Sequence, residues 1–172
     1  MIILMNKLDL IKTKKLFSFL LTVLLLFSCA DPCEGVSCIN GGLCIEGSCL
    51  CPDYYEGKNC ELEEREKYFG TYNGTTTYSD TQGNTDTYAD SKEVSSSNDG
   101  VAYIKFNGEV SAVLNHHHAA GVFDIPSQSP LNPALADSYF SGSGNFSGNN
   151  LTYSIAVENN GEIVTISFTG TK

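Results

Sequence analysis

From Tyr68 to the end of the chain, apolar and polar side chains alternate with a period of two rather than 3.6, which is the pattern of half-buried β-strands. Leu151, Tyr153, Ile155 and Val157 interleave with Thr152, Ser154 and Ala156, and Val164, Ile166 and Phe168 interleave with Thr165 and Ser167. Turn signals separate the runs at Asn107-Gly108, Gly148-Asn149-Asn150 and Asn160-Gly161, where Gly and Asn tolerate the positive φ of tight hairpins. Strands are expected near 68–78, 84–94, 101–107, 109–115, 120–126, 138–147, 150–158 and 162–171, about eight in all. Sequential hairpins in that number predict a mainly β, antiparallel domain over 68–172. An up-and-down barrel fits best, because closure removes free sheet edges, and a β-sandwich is the alternative. Tyr68, Gly70, Tyr72 and Gly74 share one face of the first strand, and Phe140, Gly142, Gly144 and Phe146 share one face of the sixth. Glycines so placed permit the sharp coiling of a small barrel.

Ahead of Tyr68 the pattern changes twice. Residues 16–27, LFSFLLTVLLLF, form an uncharged run preceded by Lys7, Lys12, Lys14 and Lys15. A spanning helix needs about 20 apolar residues, so this shorter run suits the core of a secretory signal over 1–28, with Met5 as an alternative start. Residues 33–60 then carry six of the seven cysteines, at 33, 38, 44, 49, 51 and 60, within about thirty residues that bury too little apolar surface to fold unaided. Six cysteines behind an export signal imply three disulfides in an oxidising compartment, with 15 possible pairings. The absence of histidine among them argues against a metal site. The segment 61–67, ELEEREK, reads as a charged linker of a helical turn or two, with Glu61–Arg65 and Glu63–Lys67 at i,i+4.

Charge narrows the partners. The net charge is −10, and setting aside Lys7, Asp9, Lys12, Lys14 and Lys15 leaves 6 basic and 19 acidic residues, or −13. Such a surface repels phosphate backbones, so no nucleic acid is expected as partner.

Leu26-Phe27-Ser28-Cys29 resembles the bacterial lipobox, in which a small residue precedes a cysteine that is acylated and becomes the mature N-terminus. The resemblance makes Cys29 the lipidated residue and the unpaired seventh cysteine, with 29–32 a lipid-anchored N-terminus. More than one acyl chain gives durable membrane attachment. Ala30, rather than aspartate, follows, which points to the outer membrane as the address, facing the periplasm or the surface. The cysteine spacing, the Asn40-Gly41-Gly42 turn, the Cys49-Leu50-Cys51-Pro52 step and Gly57 resemble the EGF-like module. That resemblance implies the pairs Cys33–Cys44, Cys38–Cys49 and Cys51–Cys60. Asp31 and Glu46 supply too few oxygens for a cation that takes 6 to 8, so no specific calcium site is expected.

The whole arrangement, with FGTYNG opening the β domain, DIPSQ within it and FSGSGNFSGNNLTYSIAV and FTGTK near its end, resembles Gram-negative lipoproteins that join a lipobox, one EGF-like module and a lipocalin-like, calycin-type β domain. The resemblance implies a fold and an address, and no particular activity. His116 and His118, in the tract His116-His117-His118, are weak metal candidates, since they lie between two expected strands beside Ala119, Ala120 and Gly121. Asp80, Asp86, Asp90, Glu93 and Asp99 fall in a Ser/Thr/Asn-rich stretch that does not fit an EF-hand. No phosphate loop, nucleophile elbow or zinc-hydrolase signature occurs, and no cofactor is expected. The chain therefore reads as a membrane-anchored, non-enzymatic binding module acting on a protein or glycan, with Tyr54 and Tyr55 as exposed contact aromatics. The alternatives are a carrier of a small apolar ligand and, less favoured, a glycan-acting hydrolase. Radiolabelled palmitate should label the wild type and fail to label Cys29→Ala.

Overall fold

The computed structural model describes residues 31–115, 120–129, 138–159 and 161–172. Four short strands come first: β1 (Leu43–Ile45), β2 (Ser48–Leu50), β3 (Tyr55–Glu56) and β4 (Leu62–Glu63). A 3-10 helix, Glu64–Tyr68, follows. Eight longer runs complete the fold: β5 (Gly70–Asp80), β6 (Thr85–Ser96), β7 (Tyr103–Phe106), β8 (Val110–Leu114), β9 (Val122–Gln128), β10 (Tyr139–Ser147), β11 (Asn150–Asn159) and β12 (Glu162–Thr171). Each pairs antiparallel with the next, and β12 returns to pair with β5, so the sheet closes as an up-and-down barrel rather than a sandwich. The turns are of the expected kind: Asn107 and Gly108 both take positive φ, and Gly148 does so at the first position of a two-residue loop.

Inward-facing glycines let this short chain close. A methyl group on Gly74 would lie 1.9 Å from the Thr169 carbonyl oxygen, and one on Gly142 would lie 2.1 Å from that of Ser154. On Gly144 it would meet the Phe123 ring at 2.3 Å. Where β9 meets β10, the register slips by one residue between Phe140 and Gly142, opposite Gln128 and Ile125. Pro126, which has no N–H to give to a ladder, sits in that bulge. Beyond it, Gln128 stands in for a peptide bond: its amide oxygen accepts from Ser111 N–H at 3.0 Å, and its nitrogen donates to the Ser111 carbonyl at 2.8 Å.

Aromatic side chains fill the interior. Tyr68 stacks on Phe146 with centroids 4.4 Å apart, and Phe146 meets Phe123 at 5.1 Å. The series continues through Phe106 and Tyr153 to Phe168 at 5.3–5.5 Å. Such spacings match the favoured tilted and offset ring geometries, so the rings form one packed column around which Ile104, Ile125, Leu151 and Val94 are buried.

The near end of the barrel carries the β6–β7 and β10–β11 turns and joins the disulfide-rich module. Here the segment 61–67 differs from a solvated spacer. Leu62–Glu63 pairs with Tyr55–Glu56 of the module, and Glu64–Tyr68 packs on the barrel. Arg65 is 8 % exposed; its Nη1 donates to the carbonyls of Ser97, Gly100 and Tyr103 at 2.7–2.9 Å, while Nε meets Glu63 at 2.7 Å. Lys67 pairs with Glu56 at 2.9 Å and with Glu64 at 3.4 Å. The expected i,i+4 pairs do not form, because the Arg65 guanidinium is drawn to three turn carbonyls, those of Gly100 and Tyr103 also accepting backbone N–H groups of the same turn.

Gly74→Ala, which forces a methyl against backbone that cannot rotate away, should lower stability by about 1–3 kcal/mol in urea denaturation. Thr75→Ala, on the exposed face of the same strand, should change it little.

Candidate functional site

The barrel wall is uneven. On its β7 side, β6 is laddered only over Val94–Ser96, so among the described residues Thr85–Lys92 has no strand partner there. β6, and β5 paired with it as far as Ser79 opposite Thr85, therefore run past the short β7–β8 hairpin toward the far end, opposite the module, where β11 and β12 continue the sheet. Their inner faces line a part-exposed end of the interior, the far-end hollow, over which no strand closes among the described residues. Register puts Thr76 and Tyr78 of β5, Tyr88, Asp90 and Lys92 of β6, Tyr153 and Ile155 of β11 and Ile166 of β12 on this surface.

Its polar centre is Asp90. Its Oδ2 accepts from Thr76 Oγ1 at 2.7 Å and pairs with Lys92 Nζ at 2.7 Å, while Oδ1 accepts from Ser91 N–H at 2.7 Å. Burial opposes ionisation of Asp90, but the bonds from Lys92, Thr76 and Ser91 outweigh it and hold the carboxyl below its ordinary range. The Lys92 ammonium also lies 5.9 Å from the centre of the Phe168 ring, within cation–π range. Tyr78 and Tyr88 form the rim. Their rings stack at 5.7 Å, the Tyr88 hydroxyl donates to that of Tyr78 at 3.1 Å, and they remain 37 % and 42 % exposed. Deeper in, Tyr153 has its phenol pushed up by burial and then by Asp90, Tyr78 and Tyr88. The arrangement offers flat aromatic surface, a fixed carboxylate and a fixed ammonium within one concavity.

Of the residues singled out from sequence, Asp86 and Asp90 lie on this surface, Asp90 at its centre, and the others fall elsewhere. Cys29, His116 and His118 lie outside the described residues. The disulfides are Cys33–Cys44, Cys38–Cys49 and Cys51–Cys60. Gly42 packs on the last of these: a methyl there would be 2.7 Å from Cys60 Sγ. Asp31 accepts from Cys33 N–H, and Glu46 occupies the tip of the β1–β2 hairpin with positive φ. Asp80 binds its own turn through Gln82 and Asn84, and Asp99 accepts from Ser97. Among the described residues no three metal-ligating side chains gather. Tyr54 and Tyr55 are half-buried, and Tyr54 packs against the barrel core instead of offering a free contact face.

Two other hollows are shallow and carry little chemistry. One, about 530 Å³, lies in the module between Gly35, Gly47 and Lys58; the other, about 350 Å³, lies at the near end between Lys67, Tyr68 and Phe146. The far-end hollow could have been anticipated from period two in β6, because Asp86, Tyr88, Asp90 and Lys92 continue the inward face of Val94. Polar residues on the face that points inward mark a surface that is not core.

Fold and site together define a small up-and-down β-barrel with a part-exposed polar surface at one end, joined to a three-disulfide module. No family model matches the chain, and no solved structure matches it.

Tyr88 is pushed up to about 12, chiefly by its bond to Tyr78 and then by burial and nearby charge; Tyr72 is also pushed up to about 12, by burial and by Tyr68. Both phenols hold their protons more tightly folded than at the unfolded value of about 10. Their contribution to stability is therefore complete below about pH 10 and lost as pH rises through about 12. Tyrosinate absorbance should show that part of the nine tyrosines ionises late, and Tyr88→Phe should remove one late-titrating group.

Proposed function

We propose that this chain is a lipid-anchored, non-enzymatic recognition protein of the Gram-negative cell envelope, in which an EGF-like module near the membrane carries a lipocalin-like barrel whose open end binds a glycan. The anchor is the acylated Cys29, most economically in the outer membrane. The observation that carries this reading is the placement of the two ends. The module joins the barrel where Arg65 clamps the β6–β7 turn, and the hollow of Tyr78, Tyr88, Asp90 and Lys92 opens at the opposite end. An anchor on the module then turns the hollow away from the bilayer.

A glycan suits the hollow because a sugar ring presents an apolar face to stacked aromatics and hydroxyls to fixed charges. Asp90 is held ionised by three donors, so it accepts hydrogen bonds from hydroxyls and is a poor general acid. The aromatic column in the interior weighs against a carrier, which needs an internal cavity of some hundreds of cubic ångströms.

Screening the acylated chain on immobilised oligosaccharides, followed by calorimetry, should identify a ligand. Tyr88→Ala and Asp90→Asn should each weaken it about tenfold or more, the equivalent of roughly 1.4 kcal/mol, without loss of fold. Unchanged affinity in both variants would refute the assignment of the site, and an apolar ligand retained in native mass spectrometry would favour the carrier.

A further inference from the structure

The β1–β2 hairpin of the module is two-faced. Cys44 and Cys49 oppose each other on one face and enter two disulfides, to Cys33 and Cys38. Leu43 and Leu50 oppose each other on the other face, with Ile45 two residues along from Leu43. These three side chains are 65 %, 58 % and 52 % exposed, so the largest residues of the hairpin point into solvent. A contiguous apolar patch of this kind marks a surface that meets something.

The chain on the N-terminal side comes to the hairpin from the disulfide face, where Cys33 bonds Cys44, and reaches the tip between the two faces. The Pro32 carbonyl oxygen lies 3.0 Å from where a methyl group on Gly47 would be, so the chain from the N-terminal side passes over the hairpin tip. Cys29 stands three residues before Pro32. An extended chain spans at most about 3.6 Å per residue, so the Cys29 backbone is within about 11 Å of that point. We infer that the Leu43–Ile45–Leu50 face lies in the interfacial layer of the bilayer that holds the acyl chains, making the hairpin a second membrane contact that fixes the tilt of the module. The inference rests on the lipid anchor of the proposed function. Glu46 at the tip, with Asp31 and Glu34 close by in sequence, sets the preferred surface as zwitterionic rather than anionic. The contact is therefore one of apolar area added to acylation, which suffices without a basic patch.

The chain contains no tryptophan, so Leu50→Trp creates a single reporter. Ile163→Trp, at the far end on β12 and 46 % exposed, is the reference, and Leu43→Trp guards against one variant failing to fold. Each acylated full chain would be placed in phosphatidylcholine vesicles with brominated acyl chains. The Leu50→Trp and Leu43→Trp emission should shift to the blue and fall to roughly half, as expected for a side chain at the depth of the acyl boundary, while Ile163→Trp keeps its intensity. Vesicle-bound, palmitate-labelled chains with unquenched Trp at 43 and 50 would overturn the docking and leave the anchor standing. A blue shift that depends on protein concentration and needs no vesicles would overturn it in favour of contact between copies. Failure to take up palmitate would overturn the anchor and the docking together.

Discussion

The seam between β5 and β12 is the constraint on which the rest of the structure depends. These strands are the first and last of the barrel, and joining them closes a loop of about 90 residues at an entropic cost of roughly 4 kcal/mol. Eight register pairs, from Val164 opposite Asp80 to Thr171 opposite Asn73, span the seam. Backbone hydrogen bonds at a net of about 0.5–1.5 kcal/mol each are enough to offset that cost. The pairing is possible because Gly74 faces Gly170 across the seam. A side chain at Gly74 would meet the Thr169 carbonyl, and one at Gly170 would meet the Phe168 ring at 2.5 Å, so the first position is reserved for backbone approach and the second for a core ring.

Tight closure fixes what the interior can hold. Once the walls approach this closely, the column of rings from Tyr68 to Phe168 occupies the space within, and the hollow at the far end exists only where the wall is incomplete. The short β7–β8 hairpin ends beside Glu93, whose N–H and C=O are bonded by the Asn107 side chain and backbone N–H. Above that level β6 faces inward with Lys92, Asp90 and Tyr88, which a fully closed wall could not bury without cost. The polar hollow is therefore the consequence of one hairpin being shorter than its neighbours.

Much of this was legible in the sequence. Period two and the turn residues located all eight barrel strands, with observed ends within a few residues of expectation, because each strand has one buried face and alternation reports burial directly. The column of rings was only partly legible: Phe140, Gly142, Gly144 and Phe146 announced a shared face, but not what the rings would meet across the barrel. The joint was misread. ELEEREK has the composition of a solvated run, and nothing local tells that Arg65 reaches carbonyls more than thirty residues away at Ser97, Gly100 and Tyr103. Tyr54 was misplaced for the same reason, since a residue read as an exposed contact aromatic packs instead against the barrel core. The hollow was half legible: period two puts Asp86, Tyr88, Asp90 and Lys92 on the inward face of β6, but that β7–β8 stops short beside them is a matter of register.

The joint also bears on the proposed orientation. A flexible spacer would let the barrel turn freely about its anchor, and the direction of the open end would then carry no meaning. Here the β3–β4 pair ties Leu62–Glu63 to the module, while Arg65 and the Tyr68–Phe146 stack tie the next residues to the barrel. Lys172 adds two further bonds to the same joint, donating to the carbonyls of Lys67 and Phe69 at 2.8 and 2.9 Å. A rotation at the joint must therefore break several hydrogen bonds and expose stacked rings at once, in place of the soft backbone torsions of a linker. On the proposed reading, that coupling turns a lipid at one end of the molecule into a defined direction for the hollow at the other.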